Sequence, residues 1–524
     1  MIRTLIRREF LDNLLSFKFI ACVLVAIVLT AISTVILADN YRDRLDDYSK
    51  GMASAREALS KVPAYSFLAV NIYEKPSTLS IFAPGIESKS GSFVTLTHRE
   101  IPSFLKGGLK KNEFASIFSF FDLSSIVIGI FSILAILLAY GSISGEKESG
   151  VLSLALSNAV PRAEFLVGKY LGGIISLAVA VLCCFLGGSL ILLFSKSVAL
   201  EAGFFLSFLL IYLFSLLYLS SVLLLGILVS SLTKSSFQSL IVILAFYLAA
   251  VFLLPLAINS AADGASTRKA RNYDRNIDAL LNERSASLER ATLGIPVKRT
   301  WAFMKWDTQT DTVILGRLNP PETIAHYESL FERTEKLKEE YALRIHTLRE
   351  EDVRVREKID RVRNAVLTLL PPSCFVRAAE LEAGTGREAQ HRFFQQVNAY
   401  WHQYVRYLDE KNAFSLSYAY PYPRELPASD KVLVDEIQRV FAEKKGPLWA
   451  SPAFGEIGKR NKKHEQEIRP LDLGDMPAFV YRRDEFAQRL RAWFVNVLVL
   501  AGDNLLLFAL AYFAFARYDP RMEI

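Results

Sequence analysis

Two groups of residues in this chain of 524 residues have types and spacing that suggest chemistry. The first reads Ser142-Ile143-Ser144-Gly145-Glu146-Lys147-Glu148-Ser149-Gly150, then Leu152, Leu154, Ser157, Pro161-Arg162 and Gly168-Lys169. It is a charged turn, a short amphipathic helix and a Pro-Arg break, which suits docking of a soluble partner better than bond chemistry. Gly168-Lys169 is not part of a phosphate-binding loop, because Tyr170 stands where Ser or Thr should follow and Ala163 where the first Gly should stand. The second group is Asp503 with Asn496 and Asn504, inside an otherwise uncharged run. A carboxylate there is by default a proton or substrate site facing a bundle interior. Equally, the three side chains can serve as interhelical hydrogen-bonding groups. Other chemistries lack their residues. His464-Glu465 has no second His, and His98, His326, His346, His391 and His402 show no metal-ligand spacing. There is no Gly-x-Ser-x-Gly elbow, so neither catalytic residues nor a metal site is expected.

The elements that must carry these groups follow from hydropathy. Apolar residues make up 52% of the chain and are gathered in blocks. A charge at the centre of a membrane helix costs roughly 2.5–3.5 kcal/mol, so long uncharged blocks read as membrane spans. The expected class is an all-α polytopic membrane protein with six spans and a large, mainly helical extracytoplasmic domain. Its expected order is an amphipathic helix at 1–18, a first span at 19–37 and an extracytoplasmic segment at 38–122. A second span at 123–143 leads into the cytoplasmic coupling segment 144–169, and further spans follow at 170–194, 204–230 and 237–258. The polar domain covers 259–491, the last span 492–516 and a cytoplasmic tail 517–524. The first apolar run is too long for a signal-peptide core and reads as a retained span.

Lys and Arg near the span ends set the orientation. Arg3, Arg7, Arg8, Lys18, Lys147, Arg162, Lys169, Lys234, Arg517 and Arg521 share one side if there are six spans, against Lys196 on the other. Both termini are therefore assigned to the cytoplasm. Within the polar domain, Pro320-Pro321 and Pro371-Pro372 bracket a stalk-like helix at 322–370. Tyr341, Ile345, Leu348, Val362, Val366 and Leu369 fall on one heptad frame. A mate is needed: the stretch from Ser266 to Ala291 of the same chain, or the same helix of a second subunit. A later helix from Arg387 to Asn412 is rich in aromatic residues, among them Phe393, Tyr400, Trp401 and Tyr404, which suit core packing or a ligand site.

The formal net charge is +7, but acids and bases interleave, which argues for a solvated surface and against a nucleic-acid partner. Cys374 is alone in the polar domain, so no disulfide can form within it.

The coupling segment resembles that of ABC-2 type permeases, the membrane subunits of a class of ATP-binding-cassette transporters. Glu146, Glu148, Gly150, Leu152, Leu154, Ser157, Pro161, Arg162, Gly168 and Lys169 match the family pattern, with Val151 where Thr is common. Phe121-Asp122 and the six-span order are similar as well. Gly384-Thr385-Gly386, His391 and Phe394 resemble the subgroup with a large extracytoplasmic insertion between spans five and six.

The resemblance implies a permease without an ATP site of its own and with no cofactor, because ATP is bound by a separate ATPase subunit. That ATPase would dock at Glu146, Glu148, Gly150, Arg162 and Lys169. It also implies a second permease subunit in a homo- or heterodimer, export as the usual direction, and a multi-pass location in a bacterial inner membrane. The alternative is a mechanical or signalling scaffold, in which the same ATPase moves the stalk against an extracytoplasmic protein and nothing crosses the bilayer. A proton-driven transporter working through Asp503 would show inverted repeats, and none is evident.

Overall fold

A computed structural model of the chain describes residues 2–62, 65, 68–87, 93–97, 121–153, 161–194, 203–292, 321–411, 413, 470–484 and 486–518, with scattered single positions between 432 and 459. Among them, six helices are long and apolar enough to cross a membrane. The chain is an all-α multi-pass membrane protein with additional helices outside the spans. Large apolar side chains such as Leu24, Val28, Leu186, Phe246 and Leu505 stand exposed on the outside of the bundle, as expected where lipid is the solvent.

Helix α1 (Ile2–Leu14) ends at Ser16, whose Oγ accepts from the Phe19 amide at 3.2 Å and starts α2 (Phe17–Ser60). The first span thus continues as helix well past Leu37 into the polar segment. The second span is α3 (Leu123–Ile126), capped by Asp122 Oδ1 on the Ser125 amide at 2.8 Å, then a π-helical turn over Val127–Phe131 and α4 (Ser132–Ala139). After the short α5 (Ser144–Glu148) come α6 (Arg162–Phe194) and α7 (Phe204–Leu232). The most apolar stretch of α7 is 61% buried, against 11% for the fifth span, which puts α7 at the centre of the bundle and the fifth span at its edge.

The fifth span is α8 (Ser236–Leu248), a π-helical turn over Ala249–Leu253, and α9 (Leu254–Thr292), a continuous rod that carries the chain out of the bundle. Pro255 has no N–H for the carbonyl one turn back, and the wide turn before it makes room for the ring without breaking the helix. The boundary expected after Ile258 therefore lies within a helix. Its partner is α10 (Pro321–Thr368) of the same chain. The pair runs antiparallel: Tyr341 donates to Glu283 at 2.9 Å and lies 3.1 Å from Ser287, while Asp263 is close enough to Arg363 to act on its charge. Tyr341 and Ile345 of the heptad frame are buried, whereas Val362, Val366 and Leu369 are exposed. The stripe is thus covered only along part of its length.

Helix α11 (Pro371–Ala383) begins with prolines in its first turn, where missing amides cost nothing, and ends at Gly384 with φ +67°. It returns into the bundle, where Phe375 stacks on Tyr218 with ring centroids 5.4 Å apart. The Thr385 hydroxyl donates to Ala83 O at 2.6 Å and its carbonyl accepts from the Ile86 amide at 3.1 Å. The Gly-Thr-Gly step therefore latches α11 to the loop after the first span. Beyond it, α12 (Arg387–Glu410) lies against the antiparallel hairpin β1 (Val70–Tyr73) and β2 (Phe93–Leu96). Trp401 Nε1 donates to Thr97 O at 3.0 Å and Tyr404 OH to Leu68 O at 2.8 Å. These rings are core, and their polar tips are satisfied by backbone carbonyls. The polar segments after the first and fifth spans, far apart in sequence, share this one core.

Acids are buried or half-buried at this junction. The Glu74 carboxyl is pushed up to about 7 by burial and then by the charge of Glu87, with Arg483 opposing. Glu380 is pushed up to about 7 by burial, then by Glu388 and Asp122, with Arg387 and Arg377 opposing. Burial raises Glu87 and Glu382 as well. Between about pH 4.5 and about pH 7 the folded state holds protons that the unfolded chain has released, so stability falls as pH rises through that window. The thermal midpoint of the purified protein should be higher at about pH 5.5 than at about pH 7.5. Glu74→Gln combined with Glu380→Gln should flatten much of that slope, and an unchanged slope would exclude these two groups as its source.

Candidate coupling site

The short helix α5 meets the end of α7 and the start of α8, and these termini fix it there. Ser230 Oγ, near the end of α7, accepts from the amides of Ile143 and Ser144 at 3.1 and 2.9 Å. Lys147 Nζ donates to the carbonyls of Ser231 and Thr233 at 2.5 and 3.0 Å, at the negative end of α7, and lies 4.8 Å from the Tyr518 ring centre. Glu148 accepts from the Ser236 hydroxyl at 2.7 Å, at the positive end of α8. Successive residues of opposite charge therefore each meet the helix terminus of complementary sign. Gly150, with φ +71°, ends the turn in a left-handed conformation that a side chain would strain. The Arg162 guanidinium donates to the carbonyl of Ala516, the last residue of α13 (Phe486–Ala516).

Three charges form the centre of this arrangement. Lys169 Nζ lies 2.7 Å from Glu146 Oε1 and 2.9 Å from Glu9 Oε2, with the three side chains only 14%, 24% and 19% exposed. The triad ties α5 to α6 and to α1. Glycines make the approach possible: a Cβ at Gly172 would lie 2.6 Å from Glu9 Cβ, and one at Gly168 would lie 3.1 Å from Leu5 Cβ. Sequence reading had placed Glu146, Glu148, Gly150, Arg162 and Lys169 in one segment, and the structure brings all five to one end of the bundle. It missed Glu9, whose partner is remote in sequence and whose neighbours read only as the polar face of an amphipathic helix. Leu154 and Ser157 of the motif lie outside the described residues.

The intramembrane group divides in two. Asn504 accepts from the Ser220 hydroxyl at 2.5 Å and donates to Leu217 O at 3.0 Å, with Tyr170 OH 2.7 Å from Ser220. That chain of bonds joins α6, α7 and α13. Asp503 faces elsewhere, and its Oδ2 is buried without a hydrogen-bond partner. Asn496 lies beside α11, where the Cys374 thiol is 3.6 Å from its carbonyl oxygen. It also lines a cavity of about 640 Å³ between α10, α11, α12 and α13, together with Asp360, Arg377, Glu388, His391 and Val495.

The sequence model of the ABC-2 family transporter proteins matches residues 3–293. Among curated proteins, the chain is similar to the probable ABC transporter permease protein NosY of Pseudomonas aeruginosa, 39% identical over 72 residues, which are 14% of this chain and 26% of that protein. It is similar to the protein of the same name from Stutzerimonas stutzeri, 41% identical over 64 residues, 12% of this chain and 23% of that one. The match thus spans about a quarter of the length of these curated relatives.

Proposed function

This chain belongs to the ABC-2 family transporter proteins, and on that premise we propose that it is the permease subunit of an ATP-driven transporter, an exporter whose energy comes from a separate ATPase docking on the segment 144–169. The observation that carries this reading is the triad of Glu146, Lys169 and Glu9. A partner that displaces α5 pulls on α1 and α6 through the triad, on α7 through Lys147 and on α8 through Glu148. Arg162 passes the motion of α6 to the end of α13. A short helix with these attachments converts a local push into movement of several spans, because packed helices shift as units.

The rest of the reading is consistent with this assignment. The coupling end carries the basic residues near the spans, which supports a cytoplasmic face with both termini on it and a bacterial inner membrane around the bundle. The hairpin domain and the α9–α10 pair then lie outside. The ATPase binds the ATP, so this chain is not itself an enzyme and holds no cofactor. A second permease subunit, identical or related, completes the pore. The mixed polar and apolar cavity beside Asn496 supports a substrate site at the outer end of the bundle.

A second reading, a scaffold that acts on an extracytoplasmic protein without transport, draws support from α10. Its 48 residues reach about 72 Å at 1.5 Å per residue, and its exposed Val362 and Val366, with Leu369 just past its end, offer an apolar strip.

Copurification from native membranes, followed by an ATPase assay on the eluate, tests the proposal. An ATPase should accompany the protein, and Glu146→Ala with Glu148→Ala should lose it or lower its coupled activity by at least about fivefold. Glu148→Ala alone, at an exposed position, separates docking from folding. If no nucleotide-binding chain accompanies the protein, the permease mechanism is wrong.

A further inference from the structure

Among the described residues, one group of potential metal ligands comes together, and it lies away from both the coupling site and the cavity. His346 and Glu350 are one turn apart on α10, and His402 approaches from α12. Glu350 Oε1 is 3.7 Å from His346 Nδ1 and 3.9 Å from His402 Nε2. Ligands held about 2.05 Å from a tetrahedral zinc ion stand about 3.4 Å apart. The two distances to Glu350 therefore need to close by only about half an ångström or less, and all three ligand atoms already lie within 4.8 Å of one another.

The surroundings prepare these groups to bind a cation. His346 is 3% exposed and its ring is stacked on Trp401 with centroids 4.7 Å apart, which holds Nδ1 toward Glu350. Arg354 sits 3.5 Å from Glu350 Oε2, the oxygen turned away from the imidazoles, and steadies the carboxylate as an outer-shell partner does. His402 and Glu350 are partly exposed, so an ion has an entry path and an open fourth position for water.

We propose that His346, Glu350 and His402 form a binding site for a divalent ion of the zinc type, which clamps the stalk helix α10 to α12. Two imidazoles and one carboxylate suit borderline metals and discriminate against Mg²⁺ and Ca²⁺, which prefer all-oxygen shells. Nothing in the motif spacing reveals this set, because α12 supplies its ligand only through tertiary packing.

The test uses the full-length protein in detergent, stripped with a chelator and dialysed against Zn²⁺. Metal analysis should find about one ion per chain at the three-residue site, and Co²⁺ in its place should give visible absorption from imidazole ligation. His402→Ala, at a half-exposed position that leaves the core intact, should weaken binding by at least about tenfold and abolish the Co²⁺ bands. Glu350→Gln should weaken binding similarly, and His391→Ala should leave it unchanged. Failure of the wild-type protein to retain Zn²⁺, or binding by His402→Ala with wild-type affinity, overturns the proposal.

Discussion

Lys169→Met is expected to destabilise the protein more than any other single charge removal at the coupling end. The substitution keeps the length of the side chain but leaves Glu9 and Glu146 facing each other without their shared cation. Removing one member of a fully buried ion pair costs about 3–5 kcal/mol. These side chains keep between 14% and 24% exposure, so water screens part of the loss and about 2–3 kcal/mol is expected. Thermal unfolding in detergent measures it. Adding Glu9→Gln and Glu146→Gln to Lys169→Met should recover most of the loss, because amides can bond to one another without charge. A change below about 0.5 kcal/mol would place the triad among surface pairs of little consequence. The same variant should also uncouple any copurifying ATPase, since α1 loses its tie to α5.

The second large effect is expected at the centre of the bundle. A Cβ placed on Gly226 would lie 2.3 Å from Ala139 Cβ, whereas carbon atoms in contact need about 3.5–4.0 Å. Neither carbon can rotate away, so α4 and α7 must part by more than an ångström. That movement strains the bond of 2.7 Å between Ser132 and Tyr218 at the same interface. Gly226→Ala should cost about 1–3 kcal/mol, the usual cost of overpacking, and Gly226→Leu should prevent assembly of the bundle. Combining Gly226→Ala with Ala139→Gly should restore stability, because the same methyl is only moved across the interface. At Gly187 an added Cβ meets nothing within 4 Å, and Gly187→Ala should be neutral or slightly stabilising through helix propensity. If Gly226→Ala proves equally harmless, the close approach of these helices is not part of the folded state.

Much of the architecture was legible because its signals are local. The Pro371-Pro372 pair and Gly384 end one helix and bound the next through backbone rules that need no partner. The heptad frame on α10 announced a mate without naming it. The choice of α9 over a second subunit depended on the direction in which the fifth span leaves the bundle, which no periodicity encodes. The aromatic residues of α12 likewise read as core or ligand site until the hairpin from residues 70–96 was seen to cover them. At the coupling end, the motif residues announced themselves by type, but their roles did not. Glu146 and Glu148 read alike in sequence, yet one is held in a partly buried triad and the other binds the start of α8 at the surface.

The sequence by itself determined the spans and their class, because the cost of placing a side chain in lipid belongs to that residue and adds up along a run. It also determined which segment breaks the apolar order with charge, glycine and proline. Only the tertiary structure decided that Glu9 meets Lys169 across 160 residues, that α11 turns back into the bundle, and that His346, Glu350 and His402 converge. These outcomes depend on distances between elements, and those distances follow from helix directions and from close approach at Gly172 and Gly226. Ion pairs and ligand sets weaken steeply with separation, so their existence is a property of packing rather than of composition or spacing.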